Sequence, residues 1–467
     1  MVLFAALVVI LIVTTWLVVG SKELSLYVLF LASYTQNFVI PFLHTHGYIG
    51  LELARALVLF KDVLLLELFL WSVMVLFEQF RPPWPSPLKP LLLLTFYCIF
   101  RFMAGAVFFD DGWTQGLNQI RIIFFPLEIL VVIMVVTAQK PEFGRRFLRN
   151  MAYVLSVLAV VALGIFVWAP RDFWVENANI AVLQSDVKGN TEYALDFDQG
   201  LSMSGTMQGR ETFGFLSAFR AIGTFGEALA LSFSMAVPVL LFSLYYKKTV
   251  VSVLSLTVAA AALCLSLTRS AWIFCGVIVI YVLLRRRRYR ELLAAGALVL
   301  ALMFFFPPLA DFAQATVTNI TPAADNADSE HAEGILWFYT RGFTDPGNIL
   351  GKGMRPEAQS IPESGYAYLL EHFGALAYGS FLWFCFSLYR QLGEVGTRLR
   401  TLSVLAQGIP LGILIVMHFS YYPFSLPTFM SLWYIVGLCL SDCLLSKGEP
   451  GQRAIQVKGQ TPRLQPV

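Results

Sequence analysis

Long apolar blocks alternate with short polar segments along the chain. Most blocks run for about 20 residues, the length that crosses the ~30 Å hydrocarbon core of a bilayer as an α-helix. The apolar residues are continuous within each block rather than alternating, which argues against a transmembrane β-barrel. The predicted spans are 2–19, 25–43, 62–78, 91–107, 121–138, 150–168, 226–245, 249–267, 270–284, 291–307, 367–389, 402–420 and 424–445. This pattern predicts an all-α polytopic membrane protein with about thirteen transmembrane helices, 12–14 being allowed.

Two long polar segments divide the predicted spans into groups. The expected organisation is 1–168, N-terminal transmembrane helices; 169–225, a first long loop; 226–307, transmembrane helices that include an arginine site; 308–366, a second long loop; 367–445, C-terminal transmembrane helices; and 446–467, a disordered polar tail. Residues 47–60 could be a short extra span, a re-entrant segment or an interfacial amphipathic helix.

Composition supports the membrane assignment. Of the 467 residues, 57% are hydrophobic and 13% are charged, whereas a soluble chain has about 25% charged residues. The net charge of +3 gives no indication of nucleic-acid binding. The six cysteines lie in or at the ends of apolar blocks, without zinc or redox spacing.

Basic residues in the short loops predict the orientation of the chain. Lysine and arginine cluster at 140–150, 246–248, 285–290, 390–400 and after residue 447. Positively charged short loops favour the cytoplasm. The two long loops, 169–225 and 308–366, are then expected on the opposite side.

Several arginines run against this tendency because they fall on the outward side. Arg220 precedes one predicted span and Arg269 follows the next, and only a short turn at 247–248 joins these two spans. Such a turn forces an antiparallel hairpin, so the two outer ends come together. Two guanidinium groups at the headgroup level make a suitable clamp for a phosphate or diphosphate. The alternative is that charges in long loops escape the topology rule and are simply solvated.

Three stretches in a fixed order carry a resemblance to a known family. They are "FRAIGTFGEALALS" from 219, "SLTRSAW" from 266 and "LGKGMRPEAQSIPESGYAYLLEHFGALAYGSFL" from 350. This order resembles the bacterial O-antigen ligase and Wzy-type polymerase superfamily, over roughly residues 205–390. Ligases of that family carry a histidine in the polar motif before the span. This chain has "PESGY" with Glu363 instead, a departure that favours the polymerase branch.

The resemblance implies a membrane-embedded, GT-C-like glycosyltransferase of the bacterial inner membrane that needs no metal or other cofactor. Its donor would be a polyprenyl-diphosphate-linked oligosaccharide, used at the periplasmic face, with the C-terminus in the cytoplasm. Arg220 and Arg269 would then hold the diphosphate, and Glu363 is a candidate base for the acceptor hydroxyl. The expected partners are the lipid-linked oligosaccharide and membrane lipid, and a chain-length regulator protein is an open alternative.

Other residues are candidates for substrate binding, each with a structural alternative. They are Arg121, Arg210, Arg355, Tyr366 and His372. Glu363 could equally cap a helix, since acidic residues favour helix N-termini. His372 and its neighbour Glu371 could be a structural pair. Arg101 and Glu67, both inside predicted spans, could pair with each other.

Three functional hypotheses remain open from the sequence. The first is a polymerase of polysaccharide repeat units, and the second is a ligase or an oligosaccharyltransferase. The third is a secondary transporter, a class that favours internal repeats and broken helices with polar residues at the membrane midplane. The unusual charges gather beside the two long loops instead, which favours work on a lipid headgroup.

Overall fold

The computed structural model describes residues 2–80, 82–108, 113–168, 221, 223–225, 228–266, 268–305, 335–353, 364–395, 399–419 and 422–446. Within these ranges the regular elements are helical, and no strand occurs. The principal helices are α1 Val2–Gly20, α2 Lys22–Thr45, α3 Leu51–Gln79, α4 Leu88–Phe108, α5 Trp113–Gln139, α6 Pro141–Trp168, α7 Ala228–Leu244, α8 Val250–Leu265, α9 Arg269–Arg285, α10 Tyr289–Phe305, α11 Gly374–Gly393, α12 Arg400–Val416 and α13 Leu426–Ser446.

Short helical segments lie between the principal helices. Gly223–Phe225 and Tyr422–Phe424 are 3₁₀ turns, and Gly347–Leu350 is a single α-turn. Phe338–Gly342 is π-helical. The chain enters α11 through one α-turn, Gly365–Tyr368, and a π-helical turn, Leu369–Phe373. The second predicted loop is therefore partly helical where the structure describes it.

Each predicted span overlaps one of the principal helices. Seven described helices are long and apolar enough to cross a membrane, and three shorter helices are also apolar. The prediction of an all-α, multi-pass membrane protein is confirmed. The ambiguous segment 47–60 is no separate element, because α3 starts at Leu51 and runs unbroken to Gln79.

Burial separates a central helix pair from a peripheral helix. The apolar window of α13 is 89% buried inside the protein, whereas that of α1 is 22% buried. Gly437 of α13 lies so close to Ile133 of α5 that an added Cβ would stand 2.9 Å from the Ile133 Cβ. On α1, Phe4, Trp16 and Val19 are 73%, 70% and 71% exposed. Large apolar side chains exposed on a helix surface are typical of a helix that faces lipid.

One end of the bundle, the basic face, comprises the described helix ends and turns at 20–22, 79–80, 82–88, 139–150, 244–250, 285–289, 393–395 and 399–400. Polar side chains connect its helices. Lys140 forms an ion pair with Glu23, and the Gln139 amide donates to Gln79 over 2.9 Å. Arg286 donates to the carbonyl oxygens of Leu244 and Thr401.

The opposite end, the loop face, comprises the described residues 45–51, 221, 223–225, 228, 265–266, 268–269, 335–353, 364–374, 416–419 and 422–426. Two of the segments that carry the family resemblance lie here wholly or in part: the end of α8 with the start of α9, and the entry to α11. The described end of the first segment, from Ala221, lies here as well. The fold therefore brings parts of three separated sequence motifs to one end of the bundle.

Candidate functional site

The chain just after Arg220 is attached to the loop-face end of α8. The Ala221 amide donates to the Leu265 carbonyl over 2.9 Å. Leu265 is the last residue of α8, and α9 begins four positions later at Arg269. The backbone next to the first predicted arginine is thus bonded to the turn that leads to the second. Arg220 itself lies outside the described residues.

A glycine holds this segment close to its neighbours. Gly223 has a φ of +53°, and a Cβ there would stand 2.5 Å from the Cβ of Ala162. The side-chain amide of Asn37 donates to the Phe225 carbonyl over 3.1 Å, which ties the same turn to α2. A glycine is needed at this position because its backbone conformation and its contact with α6 both exclude a side chain.

Arg269 occupies the first position of α9 and is half-buried. Two contacts fix the start of this helix. The Trp272 indole donates to the Leu263 carbonyl over 3.0 Å, and the Thr268 hydroxyl lies 3.4 Å from the Ala228 carbonyl oxygen. Arg269 therefore lies at a helix start that is held in place by contacts with both α7 and α8.

The third motif reaches the same level of the bundle through α12. The Tyr366 amide donates to the Met417 carbonyl over 3.2 Å. Helices α9 and α12 are antiparallel, because an added Cβ would contact Phe274 at Gly412 but Ile278 at Gly408. Extending that register by one turn sets Met417 opposite the start of α9. The chain that follows Glu363 is therefore attached at the level of Arg269, although Glu363 itself lies outside the described residues.

Two glycines allow backbones to cross where the second loop meets α11. Gly351 and Gly374 have φ angles of +80° and +87°. A Cβ on Gly374 would stand 2.6 Å from the Ile349 carbonyl oxygen, and one on Gly351 would stand 2.5 Å from the His372 carbonyl oxygen. These obstacles are backbone atoms, which cannot rotate away. Glycine at both positions is thus required by the close approach and by the backbone conformation.

Hydrogen bonds fasten this crossing. The Lys352 and Gly353 amides donate to the carbonyls of Glu371 and His372 over 2.5 and 3.2 Å. The imidazole Nδ1 of His372 lies 2.8 Å from the Gly353 carbonyl oxygen, and the residue is 2% exposed. His372, predicted to bind substrate, therefore has a described role in holding the loop. The π-helical turn that carries it supplies two of the accepting carbonyls.

Arg101 of α4 supports the crossing from the other side. Its guanidinium donates through Nη2 to the Gly351 carbonyl over 2.8 Å and through Nε to the Leu350 carbonyl over 3.1 Å. Glu67 accepts instead from the Thr15 hydroxyl over 2.9 Å. The predicted Arg101–Glu67 pair was wrong, because the second loop offers the arginine two carbonyl acceptors at the helix end.

An ion-pair group flanks the crossing. The Lys352 ammonium lies 2.8 Å from the Asp345 carboxylate and 3.6 Å from the Glu371 carboxylate. Hydrogen bonds from Lys352 and from the Gly347 amide lower the pKa of Asp345. The same bond to Asp345 raises the pKa of Lys352. Sequence reasoning missed Asp345, which lies seven residues before Lys352 and becomes its partner only through the fold.

Of the remaining predicted site residues, some are described by the structure and others are not. Arg210 and Arg355 lie outside the described residues, like Arg220 and Glu363. Tyr366 is 4% exposed, and its hydroxyl donates to the Leu414 carbonyl over 2.6 Å. Arg121 donates to the Asp62 carboxylate over 3.0 Å, so this arginine has a protein partner. Their binding roles stay predictions.

A cavity lies at the other end of the bundle. It has a volume of 320 Å³ and is lined by residues from the start of α6 and by Tyr245 and Tyr246 at the end of α7. It belongs to the basic face, so it does not coincide with the place where the three motifs meet. Among the described residues, no group of three or more histidine, cysteine, aspartate or glutamate side chains is arranged to hold a metal ion.

The fold therefore defines the class of protein: an all-α, multi-pass membrane protein whose separated motifs gather at one face. Comparison with protein-family models gives no match, and a search of curated proteins gives none either. The function is consequently argued from the site alone.

Proposed function

We propose that this protein is a polymerase that joins polyprenyl-diphosphate-linked oligosaccharide repeat units. It would span the bacterial inner membrane with thirteen helices and a GT-C-like arrangement. The loop face would point to the periplasm, and the basic face and the C-terminus to the cytoplasm. This orientation agrees with the lysines and arginines that crowd the basic face, because short cytoplasmic loops favour positive charge.

One observation carries the proposal. The Ala221 amide bonds to the Leu265 carbonyl, so the backbone that follows Arg220 is fastened at the approach to Arg269. A clamp for a diphosphate needs two guanidinium groups from separated parts of the chain at one depth. This bond joins residues 44 positions apart, at the end of the antiparallel hairpin that α7 and α8 form. The Tyr366–Met417 bond adds the segment after Glu363 at the same level.

The reaction assigns a role to each of these residues. The hydroxyl of the acceptor repeat unit attacks the anomeric carbon of the donor, and Glu363 accepts the hydroxyl proton. A new glycosidic C–O bond forms as the bond between that carbon and the diphosphate oxygen breaks. Arg220 and Arg269 stabilise the negative charge that develops on the departing diphosphate. Fixed cations of this kind are worth several kcal/mol where water is excluded.

Purified protein incubated with one lipid-linked repeat unit tests the proposal. A ladder of products separated by one repeat unit supports the polymerase. Transfer that begins only when lipid A–core or a protein acceptor is added identifies a ligase or an oligosaccharyltransferase. A chelator should leave the ladder unchanged, and inhibition that added divalent ion reverses would contradict the metal-independent mechanism.

A secondary transporter is the second candidate, and one group of side chains favours it. Lys61 and Glu128 are 6% and 8% exposed within α3 and α5, and Asp62 lies between Lys61 and Arg121. Buried ionisable residues inside transmembrane helices often mark ion or substrate pathways. Vesicles that take up glycan-lipid without elongating it, in a manner dependent on an ion gradient, would favour this candidate.

A further inference from the structure

The cavity at the basic face has the composition of an anion site. Arg145, Arg146 and Arg149 line it together with Tyr245 and Tyr246. The three arginines occupy the first turns of α6, where positions i and i+4 are neighbours on one helix surface. The tyrosines directly follow the end of α7, so the 320 Å³ volume, which is open to the surface, lies between two helices. Glu142 also lines the cavity and contributes the single carboxylate among these residues.

The arginines of this cavity differ from the other cations around them. Among the described residues, none of the three guanidinium groups takes part in a salt bridge or a hydrogen bond. Nearby cations of the same face do have partners: Lys140 pairs with Glu23, and Arg288 pairs with Glu291. Topology alone favours positive charge on this face, but it does not require three guanidinium groups and a single carboxylate around one cavity.

The tyrosines face these charges and stay protonated. Burial raises the pKa of both phenols, and the positive charges of Arg145 at Tyr245 and Arg149 at Tyr246 act in the opposite direction. Arg145 and Arg149 thus each interact electrostatically with one tyrosine across the cavity. A protonated phenol donates a hydrogen bond, and a guanidinium offers several more. The cavity therefore presents donors and positive charge to a ligand that needs acceptors and negative charge.

The position of the cavity indicates where the ligand comes from. Helix α6 has 28 residues, which makes it about 42 Å long against a hydrocarbon core of about 30 Å. Its charged residues all fall before Met151, so these first turns extend into the headgroup layer. Lipid phosphates are concentrated at that depth. The volume lies at the lower end of the usual range for ligand sites, about 300–1,000 Å³, which suits a headgroup rather than acyl chains.

We propose that this cavity binds the phosphate headgroup of an anionic phospholipid. Arg145 and Arg149 would hold the phosphate oxygens in a fork, with Tyr245 and Tyr246 as additional donors. Three arginines against one glutamate leave a net positive site, which disfavours a zwitterionic lipid. A free phosphate ion shares the same chemistry and is distinguished by experiment. The inference does not depend on the proposed polymerase activity, because the site lies at the opposite face.

Native mass spectrometry of the full chain in non-ionic detergent tests the proposal, with phosphatidylglycerol and phosphatidylethanolamine as probes. The wild type should retain one phosphatidylglycerol with at least about tenfold preference, since charge-assisted hydrogen bonds are the strong ones. The double variant Arg145→Gln/Arg149→Gln should lose that preference. Lys247→Gln/Lys248→Gln is the matched control, because it removes the same charge from the same face outside the cavity lining, and it should behave as wild type.

Each other outcome has a defined meaning. Equal losses in the two double variants would show diffuse surface attraction and overturn the site. Displacement of the lipid by millimolar inorganic phosphate would assign the cavity to a free anion and overturn the lipid. If the arginine double variant fails to fold, the single Arg149→Gln, on an exposed side chain of the proposed fork, supplies the test. It should weaken phosphatidylglycerol retention, and wild-type retention would contradict the proposal.

Discussion

The cations on the loop-face side of the bundle and the three arginines around the basic-face cavity differ in their partners. At the loop face, Arg101 donates to two carbonyls, Arg121 to Asp62, and Lys352 pairs with Asp345. At the basic face, the three arginines around the cavity have no such bond among the described residues. The first group therefore fixes parts of the protein to one another, whereas the second is the group that we propose binds a phosphate headgroup.

The group that a charged side chain contacts is a better guide to its role than the side of the membrane on which it lies. The sequence makes the outward arginines conspicuous because they run against the positive-inside tendency. One of them that the structure describes, Arg121, donates to the Asp62 carboxylate within the protein. The inward arginines follow the tendency and attract no attention, yet they surround a cavity. Arg269, at the junction of the motifs, is where the loop-face hypothesis must be tested.

The largest effect is expected for Arg269→Ala. If Arg269 stabilises the departing diphosphate, its loss should lower the rate of glycan transfer at least about 100-fold, as for removal of one transition-state donor. Product ladders from purified protein measure the rate. Arg341→Gln is the matched control, because it removes an exposed arginine from the same face, and it should retain the wild-type rate. The double variant Arg145→Gln/Arg149→Gln should also transfer normally at saturating substrate, and a comparable loss there would abolish the distinction between the faces.

The next largest effect is a loss of stability, which we expect to differ between glycine replacements at the two faces. Gly374→Ala places a Cβ against backbone atoms at a positive φ, which should cost about 3 kcal/mol or more. Gly144→Ala at the basic face meets the side chains of Thr137 and Leu438 at 2.8 Å, and these can shift. It should therefore cost less, about 1.5 kcal/mol at most. Unfolding in detergent measures both, and equal losses would contradict the role of the backbone crossing.

Gly379→Ala is the control for this pair within the same motif. No heavy atom lies within 4 Å of a Cβ at that position, which is in the middle of α11. Alanine in a helix interior is favoured over glycine by about 1 kcal/mol. Gly379→Ala should therefore leave the protein unchanged or slightly more stable.

Much of the fold follows from the sequence because lipid imposes a simple rule on it. A bilayer requires helices of a certain length, so continuous apolar blocks mark them, and a helix lies at each of the thirteen predicted segments. The exception is the start of α3, where Glu52 and Arg55 interrupt the apolar pattern. Because of these charges, the apolar pattern does not show that residues 51–60 form one continuous helix with the following span. A helix that projects beyond the hydrocarbon has no apolar signature in its outer turns.

The candidate site was less predictable because its contacts join distant parts of the chain. The glycines of "GKG" and "EHFG" lie in separate parts of the sequence, and nothing there connects them. In the structure, Gly351 and Gly374 form a single backbone crossing. Arg101 suggested a charged partner inside the membrane, but it caps the loop through carbonyls that no sequence pattern marks. Hydrogen bonds to backbone leave no residue-type signal. The proximity of the Arg220 and Arg269 segments was predictable because a short turn constrains the hairpin geometrically.

A smaller effect is expected for Tyr366→Phe. Its hydroxyl donates to the Leu414 carbonyl over 2.6 Å, so the change should cost about 1 kcal/mol of stability. The ring is covered by its neighbours, with Phe338 at 5.5 Å and His418 at 4.8 Å between ring centroids. We therefore expect the KM for the lipid-linked donor to stay unchanged. A several-fold increase in KM without loss of stability would favour the substrate-binding role predicted from the sequence.

The smallest effect is the pH dependence of the Asp345–Lys352 pair. The pKa of Asp345 is lowered in the folded protein, so its contribution is present above the unfolded value of about 3.9 and is lost as the pH falls through the folded value. The pKa of Lys352 is raised, so its contribution is present below about 10.4 and is lost as the pH rises further. Both side chains are more than a third exposed, at 38% and 36%, so solvent screens the pair and the change in melting temperature should be small. Asp345→Asn should flatten the acid limb of the melting curve, and Lys352→Gln should weaken both limbs. In the double variant the losses should be less than additive, because both substitutions remove the same contact. Fully additive losses would show that the two residues act separately, and the ion pair would then have no part in holding the second loop against the entry to α11.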